Sequence, residues 1–226
     1  MIGETFQSNH ADLEDTSLRS DYIHLERDIL PKLARSGTFF AYQLSQDNKW
    51  CQVKNGGSAI YANRLYLRQW RRKYPERLAV NGDGLPEIVG DVSIHPGAQI
   101  HPSAVLGPNV YIGNGVAIGA GARVKESIIL ERAGLKEHCC VLHSIIGWDC
   151  IVGAWSRVEG YPSDPDPNDP LALVASDSLF NEEGRLNPSI TILGEGVSVL
   201  GELMVLNSIV LPHKEINYSF KNQIIL

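Results

Sequence analysis

Five histidines, His95, His101, His138, His143 and His213, are spread over the chain from residue 95 onward, and a neutral imidazole can act as a general base toward a hydroxyl or amine acceptor. His95 and His101 each precede a proline, a placement that suits solvated histidines at turns. Upstream, Glu26 and Asp28 flank Arg27 at the start of a helical stretch, where carboxylates favour the positive end of the helix dipole or form a local ion pair. Lys54 precedes Gly56, Gly57 and Ser58, a segment that fits a pocket edge and equally a plain strand-to-helix turn. Cys51, Cys139, Cys140 and Cys150 have neither metal-ligand nor disulfide spacing, and the adjacent pair points to opposite sides of a strand, so reduced, buried thiols are expected. The run from Pro162 to Pro170, with Asp164, Asp166, Asn168 and Asp169, is stiff, acidic and unable to build a core. It is expected to project toward a partner.

The elements that position these residues are those of a folded chain: 226 residues with 43% hydrophobic content can bury a substantial core. The net charge of −6 is well mixed, and the one basic run, Arg71-Arg72-Lys73, suits the solvated end of a helix. Neither a nucleic acid nor an anionic membrane is an expected partner. No basic segment followed by an apolar run opens the chain, and no stretch is apolar enough over about 18 residues to span a bilayer. A cytoplasmic location is expected.

The dominant pattern is a six-residue repeat. Ile88, Ile94, Ile100, Leu106, Ile112, Ile118 and Val124 form an unbroken aliphatic series, and Ala98, Ala104, Val110, Val116 and Ala122 stand four residues after its members. Such short-period self-similarity marks a β-solenoid. Three short strands make one triangular turn of about 18 residues, stacked at the strand spacing of about 4.8 Å. Aliphatic side chains point inward. Gly107, Gly113 and Gly119 are expected to provide turn conformations between the faces, with His95-Pro96 and His101-Pro102 at corners. After Glu131 the rhythm loosens through Leu135, Val141, Ile146, Val152 and Val158, which reads as a corner insertion. It stops after Glu159 and resumes at Ile190, leaving an excursion over about 160–188 that is too long for a connector.

The segment ahead of the repeat reads differently. Leu18 to Arg35, interrupted by Pro31, predicts a short helix or two helical pieces. Thr38 to Leu44 and Trp50 to Val53 have strand composition, Ser58 to Tyr74 reads as an amphipathic helix burying Ile60, Leu65, Leu67 and Trp70, and Asn81 to Gly84 is a turn-rich linker. These elements cannot cover both faces of a sheet. The expected organisation is therefore residues 1–85 as the C-terminal remnant of an α/β domain and 86–226 as a left-handed parallel β-helix. The unpaired apolar residues, Phe39, Tyr42, Trp50, Tyr61 and Trp70, predict exposed hydrophobic surface.

Leu25-Glu26-Arg27-Asp28-Ile29-Leu30-Pro31 and Lys49 to Lys54 resemble the closing part of a sugar-nucleotide pyrophosphorylase catalytic domain. Gly56 to Ala62, Val141 to Trp148, Arg157 to Gly160, Pro162 to Pro165 and Phe220 to Leu226 are similar to the α-subunit branch that accompanies GDP-mannose pyrophosphorylases, and the likeness runs from about Tyr22 onward. The resemblance implies a nucleotidyltransferase-type domain that binds GDP-mannose, and a β-helix that assembles a regulatory α subunit with a catalytic β subunit in homo- and hetero-oligomers. It implies sugar contacts at Glu26 and Asp28, and a pocket edge at Lys54 and Gly57. Active members use Mg2+ held partly by an acidic residue that follows the tryptophan. Here that place is Gln52, which brings no negative charge, and the family's Gly-rich phosphate loop is not in the sequence. The implied chain has no cofactor or catalytic residue of its own. A ligand-free assembly scaffold is the alternative role, and a hexapeptide acyltransferase using one of the five histidines is a further one.

Overall fold

The computed structural model describes residues 23–45, 48, 50–161, 180–187 and 190–226. The chain divides into two compact units, Met1–Asn48 and Lys49–Leu226. In the first, the described helix begins with a π-helical turn, Leu25–Ile29, and continues as α1, Leu30–Arg35, with Pro31 in the first turn. Proline is tolerated there because the first-turn amides have no intrahelical acceptor. Thr38 to Leu44 pairs with no strand among the described residues, and Phe40 and Tyr42 are exposed. The strand expected there is not formed, because β composition without a neighbouring ladder leaves every backbone group to water. The same correction applies to Trp50 to Val53 in the second unit, where Trp50 and Val53 are exposed.

The second unit is a left-handed parallel β-helix of about seven turns. Its strands form three parallel sheets of seven, seven and six, called here faces A, B and C. Face A runs from Glu87–Ile88 to Phe220–Lys221, face B from Val92–Ile94 to Ile224–Ile225, and face C from Gln99–Ile100 to Glu215–Ile216. Each rung contributes one strand to each face, so each strand pairs with the strand one turn away. The aliphatic series lies inside: Leu106, Ile112 and Val124 are buried in one continuous core with Ile129, Val141, Ile146 and Val158. Ile129→Ala should cost about 3 kcal/mol, since a close-packed tube cannot collapse around the cavity. A shift in the urea midpoint of unfolding measures it.

The loosening of the rhythm is a contraction, not the expected corner insertion. Leu106 pairs with Val124 and Val124 in turn with Val141, so the later of these two turns is one residue shorter than the earlier. The lost residue falls at the corner between faces A and B, where the segment joining Leu106 to Val110 is one residue longer than that joining Lys125 to Ile128. The glycines also act differently from expectation. Of Gly107, Gly113 and Gly119, only Gly107 has positive φ, at 109°. A Cβ on Gly113 would stand 2.9 Å from the Glu131 amide nitrogen and one on Gly119 2.8 Å from that of Glu137, so these two are required by close stacking of turns. The left-handed corner conformation is shared instead by eleven non-glycine residues among those described, including Asn109, Glu126, His143, Trp155 and Asn207, and by other glycines such as Gly90, Gly115, Gly121 and Gly196.

The amphipathic helix forms as α2, Gly56–Lys73, with an Asn55 and Ser58 capping box. Ile60 and Leu67 are buried as expected, whereas Leu65 and Trp70 are half-buried. Asn81 closes the first rung, its side chain accepting from the Ile88 amide at 2.7 Å and donating to the Ile88 carbonyl at 3.0 Å.

Candidate functional site

Face B is apolar on its outside as well as inside. Tyr111, Ile128, Ile145, Ile192, Ile209 and Ile224 point outward on successive rungs and are half-buried. Helix α2 lies along this stripe. A Cβ on Gly56 would come within 2.6 Å of the Ile192 side chain at the fifth rung, Arg64 reaches Glu126 beside the third, and Arg71 reaches Asp91 at the first. The helix from Gly56 to Arg71 rises about 22 Å, and four strand spacings cover about 19 Å, so helix and stripe match in length.

The polar anchors of this helix sit at the A/B corner. Asp91 and Glu126 are buried carboxylates. Arg64 donates to Glu126 Oε2 at 3.2 Å, and Asn109 Nδ2 donates to Oε1 at 2.8 Å. Arg71 Nε donates to Asp91 Oδ1 at 2.5 Å, and Asn63 to the Asn109 carbonyl at 3.2 Å. Buried carboxylates so paired fix the register of the helix on the sheet. Along the same corner Asn109, Glu126, His143, Asn207 and Asn222 all hold positive φ, and each backbone N–H from Glu126 onward donates to a carbonyl one rung earlier. A hydroxyl ladder runs beside them: Ser144 N–H donates to Ser127 Oγ at 3.1 Å and Ser208 N–H to Thr191 Oγ1 at 3.3 Å.

The long excursion leaves and returns at this corner. Ser144 stacks directly on Thr191, whereas its neighbours in the same ladder, Ile145 with Ile128 and Ile192 with Ile209, are joined by single turns of ordinary length. The whole excursion is therefore an insertion between two rungs that stack as if it were not there. Gly160 takes the corner position at its exit, its amide donating to the Leu142 carbonyl at 3.0 Å. A Cβ there would meet the His143 oxygen at 2.5 Å and the Thr191 nitrogen at 2.6 Å. On the returning side Leu186 is buried and bridges to Phe180, and Arg185 lies over the Tyr161 ring. The predicted partner contacts, Pro162, Asp164, Asp166, Asn168 and Asp169, lie outside the described residues.

Of the expected sugar contacts, Glu26 is exposed, while Asp28 is half-buried and its Oδ2 accepts from the His24 amide at 2.8 Å. Both belong to the first unit. Lys54 and Gly57 belong to the second, where the Lys54 amide donates to Ser58 Oγ at 3.0 Å and Gly57 is buried in the first turn of α2. Cys139, Cys140 and Cys150 are buried free thiols, and burial pushes Cys139 up to about 12, away from nucleophilic thiolate chemistry. His95 and His101 serve their turns: their Nδ1 atoms accept from Gly97 N–H and Ser103 N–H, each at 3.1 Å.

His143 differs, because its Nδ1 is buried without a hydrogen-bond partner and burial lowers its pKa from the ordinary 6.5, with Glu126, Lys125, Glu159 and Arg64 as the nearby charges. A depressed imidazole value means that the unfolded chain takes up a proton first. The stability gap between wild type and His143→Asn, a residue that also accepts positive φ, should therefore be constant above pH 6.5 and shift against the wild type as pH falls below it. Urea unfolding of both proteins at about pH 7.5 and 5.5 checks this, and a pH-independent gap is the contrary result.

Residues 88–225 match the family model of the GMPPB C-terminal domain. The whole chain is 56% identical to a Danio rerio mannose-1-phosphate guanylyltransferase regulatory subunit alpha-B, 57% to the Xenopus tropicalis regulatory subunit alpha and 54% to that of Homo sapiens. It covers 54% of each of these relatives, so the chain spans about half their length. Among solved structures, a variant of GDP-perosamine N-acetyl transferase from Caulobacter crescentus, in complex with CoA and GDP-perosamine, is 20% identical with a TM-score of 0.45, covering 86% of this chain and 70% of that one.

Proposed function

Because this chain belongs to the GMPPB C-terminal domain family and matches alpha regulatory subunits along its whole length, we propose that it acts as a regulatory, non-catalytic subunit of GDP-mannose pyrophosphorylase. In this role it senses GDP-mannose and modulates a catalytic β subunit in the cytoplasm. The observation that carries the reading is the 53–57% identity to the first relatives, which extends through the non-repeat segments and not only through solenoid sequence. No helix among the described residues is long and apolar enough to cross a membrane. The A/B corner supplies the physical route. It fixes α2 through buried ion pairs and emits the long acidic excursion from the same row of positions. A long charged segment rooted between two rigid rungs presents a partner-contacting element without disturbing the core.

The donor set does not suit the Mg2+ that active family members employ. Gln52 is an exposed neutral amide, and no group of three His, Cys, Asp or Glu side chains stands together among the described residues. No step of the proposed role passes through a metal. Calorimetric titration of GDP-mannose into this chain, alone and mixed with a catalytic β subunit, tests the proposal. Binding, or altered feedback inhibition in the mixture, is the expected result. Silence in both, with complex formation intact, leaves a structural scaffold.

A further inference from the structure

Of the three faces of the solenoid, B lies under α2 and A carries Arg123, Lys125, Arg157 and Glu159 on its outer side. Face C has neither a helix nor a run of charges. Its outward residues on rungs one to six are Gln99, Ala117, Gly134, Ile151, Ser198 and Glu215. The first three rungs form a hollow lined by Ala117, Gly119, Ala120 and Gly134, and a Cβ on Gly134 would meet nothing within 4 Å. The next two rungs form a ridge. Ile151 and Leu200 are 43% and 45% exposed there, with the exposed rings of Trp148 and Trp155 on either side of Ile151. Hollow and ridge meet between the third and fourth rungs, where Arg132 donates twice to Asp149, both bonds 2.7 Å, at the edge shared with face B. This pair stays 60% and 44% exposed.

We infer that face C pairs with face C of a second copy of this chain, the two stacks antiparallel about a two-fold axis that runs along the strands between the third and fourth rungs. Such an axis sets rung four of one copy on rung three of the other, rung five on rung two and rung six on rung one. Ile151 then enters the open space over Gly134, Ser198 lies on Ala117, and Glu215 accepts from the Gln99 side-chain amide. Leu200 covers the bare backbone of Gly119. The charges agree with the shape, because the same axis brings Arg132 to the Asp149 of the second copy and closes a square of alternating charges. A two-fold parallel to the stack would instead lay ridge on ridge and hollow on hollow. Five strand spacings by about six extended residues make a face of about 24 by 20 Å, so two copies cover about 1,000 Å² in total, the lower bound of a specific interface. The dimer is therefore concentration dependent. This pairing goes beyond the regulatory reading and stands whether or not the chain modulates an enzyme.

The experiment is sedimentation velocity of the full chain across the micromolar range, with Tm measured on every variant. The wild type should dimerise, and Gly134→Trp should raise the dimer dissociation constant roughly tenfold or more while leaving Tm unchanged, because the new side chain meets nothing in its own copy. Gly134→Ile alone should also weaken the dimer. Combined with Ile151→Gly, which exchanges knob and hole, it should recover most of the loss, whereas a two-fold parallel to the stack sets Gly134 against Lys136 and gives no recovery. The exposed Phe40, Tyr42 and Trp50 offer a competing route to association, and a dimer formed through them is insensitive to Gly134. A wild type that stays monomeric, a Gly134→Trp variant that dimerises as the wild type does, or no recovery in the exchanged variant would each overturn the assignment. A wild type that is monomeric alone and associates through Gly134 only with the catalytic subunit also overturns it, and gives face C to that subunit.

Discussion

Excising residues 162–179 and joining Tyr161 to Phe180 through a Gly-Ser-Gly linker should abolish the proposed modulation of a catalytic subunit while leaving the solenoid folded. The physical basis is the register: face B continues from Ser144 directly to Thr191, and face A from Arg157 to Met204, so the rungs on either side of the excursion stack without it. Roughly halving the loop changes its closure entropy by about 0.6 kcal/mol in the stabilising direction, which corresponds to a Tm shift of about 2 °C for a chain of this size. Steady-state nucleotidyl transfer by the partner, with and without GDP-mannose, reads the functional arm. Unchanged modulation by the excised variant would remove the excursion from the mechanism.

Arg64→Ala should destabilise the chain by about 3 kcal/mol and release α2 from face B. The substitution leaves the Glu126 carboxylate, which is buried at the A/B corner, with Asn109 as its remaining side-chain donor, and breaking one side of a buried pair costs more than the pair contributes when intact. The side chains are 18% and 11% exposed, which places the effect at the lower end of the range for buried pairs. Glu126→Gln in the same background should recover part of the loss, because a neutral amide needs no counter-charge. Urea midpoints give the stability, and limited proteolysis within 49–73 reports the helix. A loss below about 0.5 kcal/mol would show that the apolar stripe alone holds α2.

The solenoid was legible because its inward positions obey a short fixed period, and Ile88 through Val124 show it without interruption. Helix α2 was legible from its apolar spacing. The contraction at the corner was not, because losing one residue from a turn shifts the period everywhere downstream and resembles an irregular insertion elsewhere. The strands expected at Thr38 and Trp50 failed for a different reason: side-chain composition describes a surface that fits a sheet, not the presence of neighbouring strands. The buried pair at the corner was also missed. Glu126 looks like any surface carboxylate, and Arg64 lies far from it in the chain. A signal did exist, since Ser127-Ile128, Ser144-Ile145 and Ser208-Ile209 each follow a polar residue in the left-handed corner row, the first two a single turn apart. The glycines were expected to supply turn conformations, which holds for Gly107 with its positive φ but not for Gly113 and Gly119, which need room for the next turn.

The direct stacking of Thr191 on Ser144, across the whole excursion, also sets an order of assembly. Every other rung forms by closing the short loop of a single turn, so the strands from Glu87 to Glu159 can zip up locally, each turn templating the next. The rungs from Thr191 onward must first find the exposed edge of Ser144–Ile146 across a much longer chain, and they add contacts to the open end of the stack, to one another and to the first turn of α2 at Gly56. The upstream turns therefore form a nucleus and the last turns a later-docking cap. Hydrogen exchange under native conditions should open residues 190–226 as one cooperative block, at lower free energy than the turns before the excursion.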